Sequence, residues 1–260
     1  MSNILSLKNI DKSFNKGTVD EMALFTNFNL DIEEGEFVSV VGSNGSGKTT
    51  LLNIINGSVP IDSGDIYLNN ENINKVKEHI RARKIGRVFQ DPSLGTSPHM
   101  SIIENLALAE NKGQRYGLSF ALSKKKIAYY QELLKSLNLG LEDKLNTKVN
   151  KLSGGQRQAL ALLMAALASV DILLLDEHTA ALDPKTSEMI MELTNRIVKE
   201  KKITTIMVTH NLRYAVTYGS RLLMFNQGQI VVDKKGLEKE NTEVDDLLEV
   251  FNEISIECGN

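Results

Sequence analysis

The sequence predicts an α/β fold built on a mixed parallel sheet, and three stretches carry that reading. Phe37-Val-Ser-Val-Val41 is a short apolar run rich in β-branched residues and reads as a buried strand. It leads into Gly42-Ser-Asn-Gly-Ser-Gly-Lys-Thr49, after which Leu51, Leu52, Ile54 and Ile55 recur at helical spacing. Asp171-Ile-Leu-Leu-Leu-Asp-Glu177 is a second apolar strand that closes on two adjacent carboxylates. Ile203-Thr-Thr-Ile-Met-Val-Thr209 is a third, and it delivers His210 at its C-terminal end. Open α/β sheets place their ligands at that end of the strands.

The first stretch carries the most chemistry. Residues 42–49 match G-x-x-x-x-G-K-[ST], with a strand before and a helix after, the context in which the pattern forms a phosphate-binding loop. The glycines let successive backbone N–H groups turn inward around phosphate oxygens, and the helix N-terminus adds partial positive charge there. Lys48 supplies a full charge near the β- and γ-phosphates, and the Thr49 hydroxyl suits Mg²⁺. A nucleoside triphosphate is the implied ligand. The carboxylate pair fits the same chemistry, with Asp176 toward the metal and Glu177 orienting or deprotonating a water.

Composition sets the limits. A chain of 260 residues, 42% hydrophobic and 24% charged, has room for one α/β domain with a sizeable core. The net charge of -3 leaves no basic footprint, so no nucleic-acid partner is expected. The single cysteine, Cys258, excludes an intrachain disulfide. Met1 to Lys8 lacks the marks of a signal peptide, and the longest apolar stretch, Ala159 to Ala168, falls short of the roughly 20 residues that span a bilayer. A soluble, cytoplasmic chain is expected.

In chain order, Ile4, Leu5, Leu7 and Ile10 mark a first strand, with Phe14 at its end as either a core or edge aromatic, which these residues alone favour, or a platform for a base. Leu24, Phe25, Phe28, Leu30 and Ile32 read as a strand pair leading through Glu33-Glu-Gly-Glu36 to the loop. Gly57-Ser-Val-Pro60 ends the loop's helix, Asp62-Ser-Gly-Asp65 reads as a turn, and Ile66-Tyr-Leu68 as a strand. Ile85-Gly-Arg-Val-Phe-Gln90 is a short strand whose terminal Gln90 either caps it or reaches the metal. Residues 96–150 form a helical insertion, within which Lys124-Lys-Lys126 reads as a solvated face. Leu152-Ser-Gly-Gly-Gln-Arg-Gln158 opens a further helix with Ser153 as its N-cap. In the tail, residues 236–260, Leu247, Leu248, Phe251 and Ile254 fall at helical spacing and read as a helix closing the core.

Together these residues resemble those of an ATP-binding cassette ATPase, the nucleotide-binding subunit of an ABC transporter, over essentially the whole chain. Gly42 to Thr49 resembles the Walker A motif, Phe14 the aromatic A-loop position and Gln90 the Q-loop. Leu152-Ser-Gly-Gly-Gln156 resembles the signature motif, Ile172 to Glu177 Walker B with its catalytic glutamate, Ala181-Leu-Asp183 the D-loop and His210 the switch histidine. The resemblance implies a single P-loop NTPase domain over residues 1–260, with an N-terminal antiparallel β-subdomain and an inserted helical subdomain. It implies ATP held by Phe14, Gly42, Ser43, Asn44, Gly45, Ser46, Gly47, Lys48, Thr49 and Thr50, and Mg²⁺ held by Thr49, Gln90 and Asp176. Catalysis would fall to Glu177, His210 and Lys48. A head-to-tail homodimer would close each site with Ser153, Gly154, Gly155, Gln156 and Asp183 of the other subunit.

The partners so implied are integral membrane permease subunits, with the ATPase peripheral on the inner face of the membrane. Where family members commonly read Asp-Glu-Pro-Thr-Ser-Ala-Leu-Asp, this chain reads Asp176-Glu-His-Thr-Ala-Ala-Leu-Asp183. His178 thus removes a φ constraint and restores a backbone N–H. This variant, with Phe89-Gln-Asp-Pro-Ser-Leu-Gly-Thr96 and Val208-Thr-His-Asn-Leu-Arg213, resembles a bacterial subgroup associated with tryptophan or tyrosine uptake, which also uses a substrate-binding lipoprotein. An exporter of lipids or peptides is the alternative within transport. A soluble ribosome-acting ATPase is disfavoured by the single Walker A and signature, and a chromosome ATPase by the lack of a long coiled coil or zinc modules.

Overall fold

The computed structural model describes residues 2–112, 124–168 and 170–257, so Cys258 lies outside the described residues, as does the side chain of Ile254. The chain forms two compact units, Met1–Arg81 with Lys202–Asn260, and Ala82–Lys201.

The first unit begins with a long antiparallel pair, β1 (Asn3–Phe14) and β2 (Met22–Glu33). Alternation buries Leu5, Leu7 and Ile10 on one strand, and Phe25, Phe28, Leu30 and Ile32 on the other. The expected strand pair over residues 24–32 is thus one strand. Its register against β1 shifts near Ile10, where Asn9 and Asn27 both take φ of 50°, a left-handed conformation that asparagine tolerates. β3 (Phe37–Gly42) is buried along its length and runs into the loop before α1 (Lys48–Asn56). Leu51, Leu52, Ile54 and Ile55 bury the inner face of α1, and Gly57, at φ 87°, ends it. β4 (Ser63–Leu68) pairs with β1, and a two-residue β5 (Glu71–Asn72) completes the sheet in the order β2-β1-β4-β5. Ser63 and Gly64 therefore belong to a strand rather than to the expected turn. A short α2 (Glu78–Arg81) closes the segment.

The second unit opens with β6 (Ile85–Val88), followed by α3 (Ile102–Glu110) and α4 (Lys124–Lys135). Ser101 and Glu104 form a reciprocal capping box on α3, and Tyr130 of α4 donates to Glu110 at 2.6 Å. Of the three lysines that open α4, Lys124 and Lys125 are exposed, while Lys126 pairs with Glu110 at 2.8 Å. α5 (Gly154–Leu167) then packs against α6 (Pro184–Lys201), with β7 (Ile172–Asp176) between them in sequence. β7 is buried throughout and pairs in parallel with β6.

The chain returns to the first unit with β8 (Thr204–Val208), parallel to β3, and α7 (Leu212–Thr217). Two strands follow that the sequence reading left out, β9 (Arg221–Asn226), parallel to β3, and β10 (Gln229–Lys235), antiparallel to β9. Asn226-Gln-Gly228 turns between them, with Gln227 and Gly228 at φ 44° and 76°. Arg221 fastens the hairpin through a two-pronged pair with Asp233, both bonds 2.7 Å, and reaches the Asp31 carbonyl at 2.8 Å. The mixed parallel and antiparallel pairing gives the expected α/β architecture.

After α8 (Leu237–Glu240), α9 (Val244–Glu257) seats Leu247 in a cluster with Val41, Ala215, Leu222 and Met224, and Val250 and Phe251 pack against it. The tail helix thus covers the core, with one correction. Leu248 is 44% exposed, because it stands about 100° around the helix from Leu247 and the buried stripe runs 247, 250, 251.

Candidate functional site

The phosphate loop lies in the first unit, between β3 and α1. Ser43, Asn44, Gly45 and Thr49 are exposed, Thr50 is half-buried, and Ser46, Gly47 and Lys48 are buried. The loop closes through Ser46 N–H to the Ser43 carbonyl, 3.3 Å, and is held to the β9–β10 turn through Gly228 N–H to the Ser46 carbonyl, 3.0 Å. Gly47 caps α1 at φ 104°, and a Cβ there would meet the Phe25 ring at 2.9 Å, so conformation and space both demand glycine. The Lys48 Nζ turns back on the loop, donating to the carbonyls of Gly42 (2.8 Å) and Ser43 (2.7 Å). The ammonium therefore sits inside a loop whose backbone is shaped for anions.

Phe14 ends β1 half-buried, outside the core, with Lys12 Nζ 5.1 Å from its ring centroid. Phe14 is therefore not a core aromatic, while an edge aromatic and a base platform both fit its half-buried position. His210 is exposed two residues past the end of β8, and Asn211 beside it caps α7 by accepting from Tyr214 N–H at 3.2 Å.

The remaining candidates belong to the second unit. Ser153 caps α5 in a reciprocal box with Gln156, 3.2 and 3.3 Å, and is exposed, while Gly154 is half-buried and Gly155 buried. Gln156 also donates to the Leu139 carbonyl at 3.1 Å. Two residues on, the buried Gln158 donates to the Phe89 carbonyl at 3.3 Å and so fixes the backbone ahead of Gln90, itself exposed. Asp183 caps α6, and the Thr186 hydrogen bonds hold its carboxyl below the usual carboxylate range.

β7 ends on Asp176, which is 8% exposed, and Glu177 follows half-buried at φ 48°. A left-handed conformation at a glutamate is uncommon, and here a turn secures it, with Ala180 N–H donating to the Glu177 carbonyl at 2.9 Å. His178 is buried, its Nε2 3.1 Å from Thr194 Oγ1. That hydroxyl already donates to the Ile190 carbonyl at 2.7 Å, so the imidazole N–H donates to it. Burial pushes the His178 pKa down to about 4 and keeps the ring neutral. The residue in place of proline is a core histidine tying the turn to α6.

Sequence reasoning missed Arg87, whose Nη2 lies 2.7 Å from Asp176 Oδ2 and whose guanidinium lies 4.7 Å from the Phe89 ring centroid. The signal was present as an arginine inside an apolar strand, which requires a counter-charge. It also missed Arg81, at 5% exposure, which donates to the last carbonyls of α1. Among the described residues no cluster of three or more histidine, cysteine or acidic groups could hold a metal ion.

Residues 25–180 match the family described as ABC transporter. The chain is 52% identical over 248 residues to the tyrosine transport ATP-binding protein of Clostridioides difficile, covering 95% of this chain and 98% of that one. It is 36% identical over 236 residues to the ABC transporter ATP-binding protein YxdL of Bacillus subtilis, covering 88% and 86%. The dimeric, ADP- and phosphate-bound cassette MJ0796 of Methanocaldococcus jannaschii superposes with a TM-score of 0.75 at 35% identity, over 89% of this chain and 98% of that one. With its strand-loop-helix phosphate site and capped glycine helix, the chain belongs to the ABC transporter family as an ATP-binding, ATP-hydrolysing subunit.

Proposed function

We propose that this ATPase powers uptake of amino acids, with tyrosine or a related aromatic amino acid as the leading candidate. The observation that carries the reading is the 52% identity, over nearly the full length of both chains, to a protein named for tyrosine transport. The chain has no helix long and apolar enough to cross a membrane among the described residues, so the solute path belongs to permease subunits on which it docks from the inner face. A substrate-binding lipoprotein outside the cell completes the importer.

The phosphate loop binds the ATP phosphates with its backbone N–H groups, and Lys48 exchanges the carbonyls of Gly42 and Ser43 for the β- and γ-phosphates. Phe14 offers its half-buried ring to the adenine. The Thr49 hydroxyl, Asp176 carboxylate and Gln90 amide oxygen are the hard oxygen donors that Mg²⁺ takes, and they would hold it. When bound, Mg²⁺ neutralises charge on the β- and γ-phosphate oxygens. Glu177 accepts a proton from the attacking water, whose oxygen bonds to the γ-phosphorus as the bond to the ADP oxygen breaks. His210 orients Glu177 and the water. In a head-to-tail homodimer, the capped end of α5 at Ser153, Gly154 and Gly155, with Gln156 and Asp183, closes the partner's nucleotide.

Uptake of labelled tyrosine and tryptophan, in cells with and without this subunit and with Glu177→Gln, tests the cargo. Loss of uptake in both is expected. Unchanged uptake with slower efflux of a preloaded solute would reverse the direction of transport. Mixing Lys48→Ala with Ser153→Arg subunits tests sharing. Recovery of nucleotide occupancy and of part of the ATPase activity is expected, and a dead mixture with no occupancy would place the motifs in one subunit.

A further inference from the structure

Arg87 has no role in the chemistry above, yet it is a cation in direct contact with the carboxylate assigned to the metal. It lies in β6 between the buried residues Gly86 and Val88, and it pairs in register with Leu174 of β7. Two residues along the same face of β7 stands Asp176, and the guanidinium reaches it with Nη2–Oδ2 of 2.7 Å. Both side chains are 12% exposed. Arg87 thus sets a positive group directly against a carboxylate that is largely shielded from water. The Phe89 ring, 4.7 Å from the guanidinium, holds it in place by cation–π attraction.

We propose that Arg87 is a positioning residue that orients Asp176 before loading and competes with Mg²⁺ for its charge. The inference rests on the reading of Asp176 as a metal ligand. Its consequence is a metal site weakened by the energy of the Arg87 contact, whether or not ATP is bound. An arginine suits this task because it carries a fixed charge on a rigid planar group, here set against the carboxylate through Nη2.

The test measures the factor by which Mn²⁺, at one fixed concentration low enough to leave the nucleotide-free site unfilled, strengthens ATP binding to the full chain, in a Glu177→Gln background that suppresses turnover. Arg87→Met keeps the length of the side chain and removes the competing charge. The factor is expected to rise roughly tenfold, the change given by about 1.4 kcal/mol of coupling between contacting groups. Arg87→Lys, which retains charge without the planar guanidinium, is expected to fall between the two and serves if Arg87→Met does not fold. With Asp176→Asn also present, Arg87→Met should leave the factor unchanged, which a purely structural role would not produce. An unchanged factor in Arg87→Met, or an equal rise with Asp176→Asn, overturns the proposal. If Asp176→Asn alone does not lower the factor, the metal-ligand reading fails first and takes the proposal with it.

Discussion

Replacing Arg81 with methionine removes a buried cation that has no carboxylate against it among the described residues. Its Nε donates to the Val76 carbonyl at 2.9 Å, Nη1 to Ile54 and Ile55 at 2.9 and 3.0 Å, and Nη2 to Ile73 and Asn74 at 2.6 and 3.3 Å. All five donors of the guanidinium are thus used on main-chain oxygens. Two of them are final carbonyls of α1, where a positive charge also meets the negative end of the helix. Gly57, which ends that helix, lets the side chain pass, since a Cβ there would lie 2.9 Å from Nε. Each hydrogen bond to a charged group is worth about 1.5–3 kcal/mol, but the five do not add. Burial lowers the Arg81 pKa, a sign that desolvation takes back part of the gain. A cavity of about 410 Å³, lined by Ile54, Ile61, Asn74 and Arg81 among others, also lets water reach some of the freed carbonyls. The expected net loss is about 3 kcal/mol, a fall in melting temperature of roughly 6–12 °C for a chain of this size. Differential scanning calorimetry of the nucleotide-free protein measures it. A fall of less than about 2 °C would show that the α1 carbonyls need no internal donor and would refute the argument.

Glu177→Gln is expected to retain ATP binding while hydrolysis drops about 10²–10⁴-fold, and to accumulate an ATP-bound dimer of doubled mass on sizing. Near-wild-type turnover would remove the residue from its role as base. The depressed pKa of His178 links folding to pH. Between the ordinary value of 6.5 and about 4 the unfolded chain takes up a proton that the folded one refuses, so stability is full above pH 6.5 and falls as pH drops toward 4. The slope is about 1.4 kcal/mol per pH unit, or roughly 2 kcal/mol from pH 6.5 to 5 in urea titrations of the nucleotide-free protein. His178→Asn should lose that component, and an equal slope in the variant would contradict it. In the tail, Leu247→Asp is expected to cost about 3 kcal/mol or more and Leu248→Asp about 0.5 or less, both by urea denaturation. Equal effects would reverse the assignment of the buried stripe.

The motifs of the candidate site were legible in the sequence because their pattern is local. Gly42 to Thr49, Ser153 to Gln156, and Asp176 with Glu177 each sit at the junction of a strand or helix and a loop, and spacing alone places them there. Helix ends were legible for the same reason, since Ser153 and Gly57 act on backbone groups within a few residues. Contacts between distant segments were not. Arg81 reaches carbonyls 26 and 27 residues away, and Arg87 a carboxylate 89 residues away, so nothing near either residue announces its partner. The β9–β10 hairpin was passed over although Gln229 to Lys235 alternates in burial, because that alternation is weak beside the apolar runs before it. Phe14 and Leu248 were decided the same way. Whether a side chain at a strand end or on a helix flank meets a core depends on which element packs there. Sequence fixes the periodicity of a face, and only tertiary packing supplies the surface that covers it.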